Sequence, residues 1–281
     1  MAKDKSLTFV VLYLIHVWTL GVDSFTLPLD MAPDSVDDKY DKESSCRDLM
    51  YEKVNTVYLP DEKKANPEFN SSWMKAEDEW EKSGGHPDLT KEQFIAIYMY
   101  TNQSPSIYSD FNRNVSKGKS VYGTASFPYH SLHFYLTDAI RALKKGCEKT
   151  FRRTKVDFNH QSEFRFGRFA SSSHKDNLLS YGNVSCFSIK TCYGAYLEPY
   201  TATKGEEEVL IPPYEVFKVT NVQQNPPKNE TLGDCKVVYT VESIGVQSNL
   251  NCKLFNKAES NRSSNKGYIM LCIMLIISVH F

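Results

Sequence analysis

The chain has 281 residues, 41% of them apolar, and a formal net charge of −1. This length allows one large domain or two small ones, and the apolar fraction is sufficient for a hydrophobic core. The near-zero charge gives no basic surface field and argues against a nucleic-acid-binding protein.

The N-terminus has the pattern of a secretory signal peptide. Lys3 and Lys5 give a short charged start, and Leu7 to Leu20 is almost wholly apolar. Such a segment is too short for a membrane-spanning helix with its flanks, and small residues suited to cleavage follow it. We therefore expect residues 1–23 to be removed on secretion, with an N-terminal membrane anchor as the alternative.

The first half of the remaining chain is predicted to be helical. Phe25 to Ser45 is acidic and irregular, which indicates an extended arm. Helices are expected over Trp73–Trp80 and, capped by Thr90, over Lys91–Tyr98. In Ser131–Leu143 apolar residues recur at helical spacing, which predicts a helix with one face in the core.

After Cys147 the pattern changes to short runs of β-forming residues separated by turn formers. The expected strands are Lys149–Val156, Phe164–Ala170, Ser185–Tyr193, Val209–Ile211, Tyr214–Thr220 and Lys236–Glu242. A helical half followed by a stranded half, with no long linker, predicts a single α+β domain over residues 24–260.

The C-terminal residues 261–281 have the pattern of a glycolipid-anchor signal. Tyr268–Phe281 is nearly all apolar, but it is shorter than the roughly 20 residues that a spanning helix needs. Small and polar residues precede it, and the combination is typical of a glycosylphosphatidylinositol (GPI) signal that is removed in the mature protein. A tail-anchored or simply secreted form is the alternative.

Secretion makes the cysteines candidates for disulfides. Cys272 lies in the C-terminal tail, and six others remain: Cys46, Cys147, Cys186, Cys192, Cys235 and Cys252. No pair has zinc-ligand spacing, so no metal site is expected. An extracellular location also agrees with the glycosylation sequons at Asn70, Asn102, Asn114, Asn183 and Asn229, with a sixth at Asn261.

Three segments of the stranded half carry side chains suited to catalysis. Arg152 could clamp a phosphate, although an arginine in such a position, taken alone, is more often a surface charge. Ser171–Ser173 could bind a ribose or simply form a polar strand end. In a strand, Glu206 and Glu208 would share one face, and their repulsion would raise at least one pKa. The alternative is an inert acidic turn.

Other catalytic patterns are absent from the sequence. There is no Gly-x-Ser-x-Gly nucleophile elbow, and neither standard glycine-rich nucleotide-binding motif occurs. His130 and His133 flank the start of a predicted helix and are expected to pack rather than catalyse.

Arginine, then serine, then Glu-x-Glu is the order of an Arg–Ser–Glu-x-Glu signature. On this signature the sequence resembles the vertebrate ecto-ADP-ribosyltransferases, the arginine-specific glycolipid-anchored family. The resemblance covers roughly Thr26 to Cys252, and it includes Pro33–Tyr40, the Ser131–Cys147 helix, Phe166–Ser173, Lys190-Thr191-Cys192 and Glu206–Pro212.

The resemblance implies a helical N-terminal part packed on a two-sheet β core, with NAD bound in the cleft between the sheets. It implies that Arg152 holds an NAD phosphate and that Glu208 is the catalytic glutamate. Ser171 would bind near the nicotinamide ribose and orient Glu208. Tyr100, Arg168 and Thr201 would be further cofactor-contact positions.

The implied activity is transfer of ADP-ribose from NAD to arginine side chains of extracellular or cell-surface proteins, with nicotinamide released. Glu206 is the position that goes with arginine as acceptor in this family. The protein is expected on the outer face of the plasma membrane, held in the outer leaflet by its glycolipid. The alternatives are an enzyme that mainly hydrolyses NAD and an inactive surface glycoprotein on the same fold.

The resemblance also implies the disulfides Cys46–Cys252 and Cys147–Cys192, which leaves Cys186–Cys235 as an expected third. One departure from the family pattern is Arg153, because a glycine usually follows the phosphate-binding arginine. A side chain there would crowd NAD if the backbone lies close to it, or would add a second cation beside the phosphates.

Overall fold

The computed structural model describes residues 26–41, 45–102 and 107–255. The predicted signal peptide, the anchor signal and Asn261 lie outside these residues. Within these three ranges, no helix is both long and apolar enough to cross a membrane.

The first half of the chain is helical. Its α-helices are α1 (Cys46–Lys53), α2 (Leu59–Ala65), α3 (Pro67–Ser83), α4 (Lys91–Thr101), α5 (Tyr108–Lys117) and α6 (His130–Leu143), and a π-helical turn, Val54–Tyr58, joins α1 to α2. Thr90 caps α4 as predicted: its hydroxyl accepts the amide of Gln93 at 3.3 Å, and the Gln93 side chain accepts the Thr90 amide at 2.9 Å.

Helix α6 is buried over nearly its whole length. A carboxylate from a neighbouring helix caps it, because Glu62 accepts the amides of His130 and Ser131 at 2.5 and 3.2 Å. His130 stacks on Tyr58 with 3.9 Å between ring centroids, and burial lowers the pKa of His133 to about 4. The prediction that both histidines pack is confirmed.

The second half forms strands. They are β1 (Thr26–Leu29), β2 (Glu148–Thr154), β3 (Asp157–His160), β4 (Glu163–Phe164), β5 (Ala170–Ser173), β6 (Ser185–Thr191), β7 (Ala195–Tyr196), β8 (Glu208–Ile211), β9 (Glu215–Gln224) and β10 (Val237–Val246). Strands β1 and β3 pair in parallel, and the others form a sheet in the order β4-β9-β10-β6-β2-β5-β8-β7. Within that sheet, the pair β10–β6 is parallel.

This sheet consists of a five-stranded part (β4, β9, β10, β6, β2) and a three-stranded part (β5, β8, β7). Strand β2 pairs with β6 along its whole length, but it pairs with β5 only at Phe151 and Ser173. We call this single pair the sheet joint. The α+β architecture is confirmed, and residues of both parts line a cleft beside the joint.

The predicted strand Phe164–Ala170 is wrong, because β4 ends at Phe164 and β5 begins at Ala170. Between them Gly167 has a φ of +62°, and a Cβ at this position would collide with Ala32 of the N-terminal arm. The chain therefore turns here. The apolar residues that suggested one strand are buried in two different cores, with Phe164 in one and Phe169 in the other.

The N-terminal arm is fastened by a buried arginine. Arg165 donates to the Asp37 carboxylate at 2.6 Å and to the carbonyls of Met31 and Gln247 at 2.9 and 2.8 Å. The Asp37 carboxylate also accepts the amide of Asn249 at 2.9 Å. Segments more than 100 residues apart in sequence are thereby held together.

The structure contains all three expected disulfides: Cys46–Cys252, Cys147–Cys192 and Cys186–Cys235. The first ties the start of α1 to the C-terminal segment. The second joins the loop after α6 to the end of β6, and the third links β6 to the residues before β10.

Candidate active site

A cleft of about 590 Å³ opens beside the sheet joint. Strand β2 contributes Arg152, β5 contributes Ser171, and the segment entering β8 contributes Glu206 and Glu208. All four residues of the predicted signature therefore face one cavity. Its volume lies in the range typical of small-molecule and cofactor sites.

Arg152 crosses from one part of the sheet to the other. Its Nη1 donates to the carbonyl of Ser171, a backbone group next to the joint. Among the described residues no carboxylate forms an ion pair with Arg152. Its charge and its remaining N–H groups therefore stay available for an anionic ligand such as a phosphate.

Glu208, the first residue of β8, is only 7% exposed. Burial raises the pKa of Glu208 to about 7; the hydrogen bond with the Ser171 side chain opposes this rise, and the charge of Glu206 adds to it. The prediction of a raised pKa in the Glu206–Glu208 pair is confirmed, although burial contributes more than the expected repulsion.

Glu206 and Glu208 reach the cleft through a turn and not through strand alternation. Strand β8 begins only at Glu208, and Glu207 has a φ of +48°. The Glu207 carboxylate lies 3.5 Å from Lys175 Nζ, and its amide donates to Glu198 at 2.8 Å. Glu198 thus fixes the turn at Glu207, and this turn brings Glu206 and Glu208 together.

Tyr100 on α4 lines the cleft and is almost fully buried. Its hydroxyl donates to the carbonyl of Phe169 at 2.9 Å and accepts from Asn112 Nδ2 at 3.1 Å. Asn112 Oδ1 in turn accepts the amide of Phe169 at 3.1 Å. These bonds fasten α4 and α5 to the chain that leads into β5.

Arg168 and Thr201, the other two expected cofactor contacts, do not line the cleft. Arg168 is exposed and does not line the cleft, although its charge lies close enough to interact with that of Arg152. Thr201 is buried, and its hydroxyl donates to the carbonyl of Thr203 at 2.8 Å. Thr203 lines the cleft in its place. The cofactor contacts expected of Arg168 and Thr201 stay predictions.

Arg153 borders the cleft, but its guanidinium is bound elsewhere. Its Nη1 and Nη2 each lie 2.8 Å from a carboxylate oxygen of Asp234, and its Nε donates to the carbonyl of Asp176 at 2.6 Å. The hydrogen bonding between Arg153 and the Asp234 carboxylate holds the pKa of Asp234 below its ordinary value. The guanidinium of Arg153 is therefore not a free second cation for phosphates.

Sequence reasoning missed Tyr181 and the roles of Glu198 and Asn112. Tyr181 ends a short 3-10 turn, Leu179–Tyr181, and its hydroxyl donates to Glu206 Oε1 at 2.6 Å. No periodic pattern marks this turn. The contacts of Glu198 and Asn112 join loops that only the folded chain brings together.

Comparison with known families defines the class of protein. The family model described as NAD:arginine ADP-ribosyltransferase matches residues 29–232. The chain belongs to the NAD:arginine ADP-ribosyltransferase family.

Individual relatives agree with this assignment. The chicken (Gallus gallus) NAD(P)(+)–arginine ADP-ribosyltransferase 2 is 34% identical over 244 residues, covering 82% of this chain and 74% of the relative. Human ecto-ADP-ribosyltransferase 5 is 35% identical over 230 residues, covering 75% and 77% respectively. The crystal structure of the mono-ADP-ribosyltransferase ART2.2 matches with a TM-score of 0.67 and 30% identity, covering 80% of this chain and 98% of that one.

Two further structures of ART2.2, each with one glutamate replaced, contain NADH and NAD respectively. The cleft described above suits such a dinucleotide, because it combines an arginine that no carboxylate of the described residues pairs with, hydroxyl groups and a buried glutamate. In the described part of the chain, no group of three or more His, Cys, Asp or Glu side chains could hold a metal ion.

Proposed function

We propose that this protein transfers ADP-ribose from NAD to arginine side chains of extracellular or cell-surface proteins and releases nicotinamide. The observation that carries the proposal is the convergence of Arg152, Ser171, Glu206 and Glu208 on one cleft. Arg152 and Ser171 lie on opposite sides of the sheet joint, so the site depends on both parts of the sheet.

Arg152 would bind the diphosphate of NAD, because a guanidinium matches phosphate oxygens in charge and geometry. Its hydrogen bond to the Ser171 carbonyl fixes its direction. The Ser171 side chain also bonds to Glu208. Ser171 thus links Arg152, the proposed phosphate-binding residue, to Glu208, the residue proposed to stabilise the reacting carbon.

In the reaction, the bond between C1′ of the ribose and the nicotinamide nitrogen breaks, and nicotinamide leaves with the bonding electron pair. Positive charge develops on the ribose, and the Glu208 carboxylate stabilises it, as carboxylates do in glycoside hydrolysis. The positive charge of the nicotinamide ring of bound NAD favours the ionised form of Glu208.

A nitrogen of the acceptor guanidinium then forms the new bond to C1′ and loses a proton. Free guanidinium has a pKa above about 12, so the acceptor arrives charged and is a poor nucleophile. Glu206 would attract it, orient it and assist the loss of the proton. The products are ADP-ribosylated arginine, nicotinamide and one proton. Attack by water would hydrolyse NAD instead, and Glu206 is the feature that favours transfer.

The inactive alternative rested on Arg153, and the binding of its guanidinium by Asp234 removes that support. For the location we infer a secreted protein held by a GPI anchor, with residues 1–23 as signal peptide and residues 261–281 as anchor signal. Of the described sequon asparagines, none is buried, and exposure to glycosylation is supported for Asn70, Asn114, Asn183 and Asn229, whereas Asn102 lines the cleft.

The test uses the chain expressed through the secretory pathway and incubated with NAD and agmatine, a small guanidino acceptor. Free nicotinamide and ADP-ribosylated agmatine are measured in the same reaction. Equal amounts of the two products support arginine-directed transfer. Nicotinamide without modified agmatine identifies an NAD hydrolase, and neither product from folded protein identifies an inactive one.

A further inference from the structure

Tyr181 and Glu206 meet at the mouth of the cleft from two separate loops. Tyr181 lies between β5 and β6, and Glu206 lies in the loop before β8. The Tyr181 hydroxyl donates to Glu206 Oε1 at 2.6 Å, and no other described residue donates to the Glu206 carboxylate. Glu206 Oε2 accepts no hydrogen bond from the described part of the chain.

The two glutamates differ in how they are held. Glu208 is buried within a strand and bonded to Ser171. Glu206 lies outside any strand and is partly exposed; the Ser173 Oγ donates to its backbone carbonyl at 2.5 Å, and this bond fixes the backbone but not the carboxylate. The direction of the Glu206 carboxylate therefore depends on Tyr181.

The segment that carries Tyr181 is itself fastened by Arg153. The Nε of Arg153 donates to the Asp176 carbonyl, and its Nη1 lies 3.5 Å from the carbonyl of Gly182. Gly182 packs closely on the end of β2, because a Cβ there would lie 2.7 Å from backbone atoms of Thr154. Arg153 thus fixes the start of residues 176–182 and contacts their end, and Asp234 fixes Arg153.

We propose that Tyr181 determines acceptor specificity by holding Glu206 Oε1 so that Oε2 points to the acceptor guanidinium. Arg153 is a positioning residue that fixes the segment carrying Tyr181. This inference rests on the proposed transferase function and extends it to the residues that select a guanidinium over water. It also assigns a role to Arg153, at the position where the resemblance leads us to expect a glycine.

The test compares Tyr181→Phe with the unaltered protein in the agmatine assay. A hydrogen bond to a charged group is lost, so the KM for agmatine should rise about tenfold. The KM for NAD, and nicotinamide release without acceptor, should stay within about twofold. The matched control is Tyr196→Phe, because Tyr196 is a partly exposed tyrosine on β7 that does not line the cleft.

A second variant tests the role of Arg153. Arg153→Lys keeps the charge but loses the two-pronged pairing with Asp234. The ratio of modified agmatine to total nicotinamide should fall. Arg47→Lys is the matched control, because Arg47 makes a similar two-bond pair with Asp138 in the helical part, at 2.7 and 2.9 Å. That substitution should leave the product ratio unchanged.

The outcomes separate this inference from the function it rests on. If the unaltered protein modifies agmatine but Tyr181→Phe leaves the agmatine KM unchanged or lowers it, the specificity role is wrong while the transferase function stands. If the unaltered protein cleaves NAD and never modifies agmatine, the proposed function itself fails. Melting temperatures near that of the unaltered protein exclude misfolding as the cause of any loss.

Discussion

Arg165 and Asp37 form an ion pair in which neither side chain is exposed, with 2.6 Å between Nη1 and Oδ2. Asp37→Ala should leave the arginine charge buried without its counter-charge and destabilise the protein by about 3–5 kcal/mol. Urea unfolding with the disulfides intact measures this loss. Asp48→Ala removes the partner of an exposed pair, with a side chain 82% exposed, and should cost less than about 1 kcal/mol. Equal losses in the two variants would contradict the assigned role of the buried pair.

Substitution of the two glutamates of the cleft should affect transfer and NAD hydrolysis differently. Glu208→Gln removes the charge that stabilises the reacting ribose, so transfer and NAD hydrolysis should both fall by about 100-fold or more. Glu206→Gln should reduce transfer to agmatine by a similar factor while hydrolysis persists. Parallel measurement of nicotinamide and modified agmatine distinguishes the two. If hydrolysis and transfer fall equally in Glu206→Gln, the division of roles between the glutamates is wrong.

The raised pKa of Glu208 predicts the pH dependence of activity. The ionised carboxylate is the active form, and its pKa in the free protein is about 7. We therefore expect kcat/KM for NAD to fall about tenfold per pH unit below pH 7 and to level off above it. Initial rates between pH 5 and 9 test this. An inflection at the ordinary glutamate value near 4.5 would contradict the raised pKa of Glu208, and a flat profile between pH 5 and 9 would contradict its control of the reaction.

The same pKa predicts a pH-dependent change of stability. The folded state binds the Glu208 proton more tightly than the unfolded state, whose pKa is near 4.5. The contribution of the Glu208 carboxyl to the free energy of unfolding is therefore fully present below pH 4.5 and is lost as the pH rises through 7. Glu208→Gln removes this loss, so it should raise the melting temperature by a few degrees at pH 8 and little at pH 4.5. A melting temperature at pH 8 equal to that of the unaltered protein would contradict the burial argument.

Sequence patterns correctly predicted the helices and caps that depend on residues close together in the chain. Thr90 and Gln93 are three positions apart, and their reciprocal cap is present in the structure. The apolar spacing in Ser131–Leu143 correctly predicted a core helix, which extends to His130. These features depend on neighbours in sequence, so the sequence pattern is sufficient to find them.

Elements that depend on distant contacts were predicted poorly. The break at Gly167 occurs because the N-terminal arm packs against it, and no residue within the run Phe164–Ala170 reveals that arm. Glu206 and Glu208 were correctly expected to share one site, but a left-handed Glu207, supported by Glu198, brings them together. Tyr181 was missed because its partner Glu206 is 25 residues away.

The sheet joint has a consequence for how this protein loses function. Arg152 belongs to the five-stranded part, whereas Ser171 and Glu208 belong to the three-stranded part, and the strand pairing between the two consists of one residue pair. Neither part alone contains a working site. A small separation of the parts would therefore end catalysis while most backbone hydrogen bonds persist. During gradual denaturation, enzymatic activity should disappear before the secondary structure does, so that activity serves as an early indicator of damage to the fold.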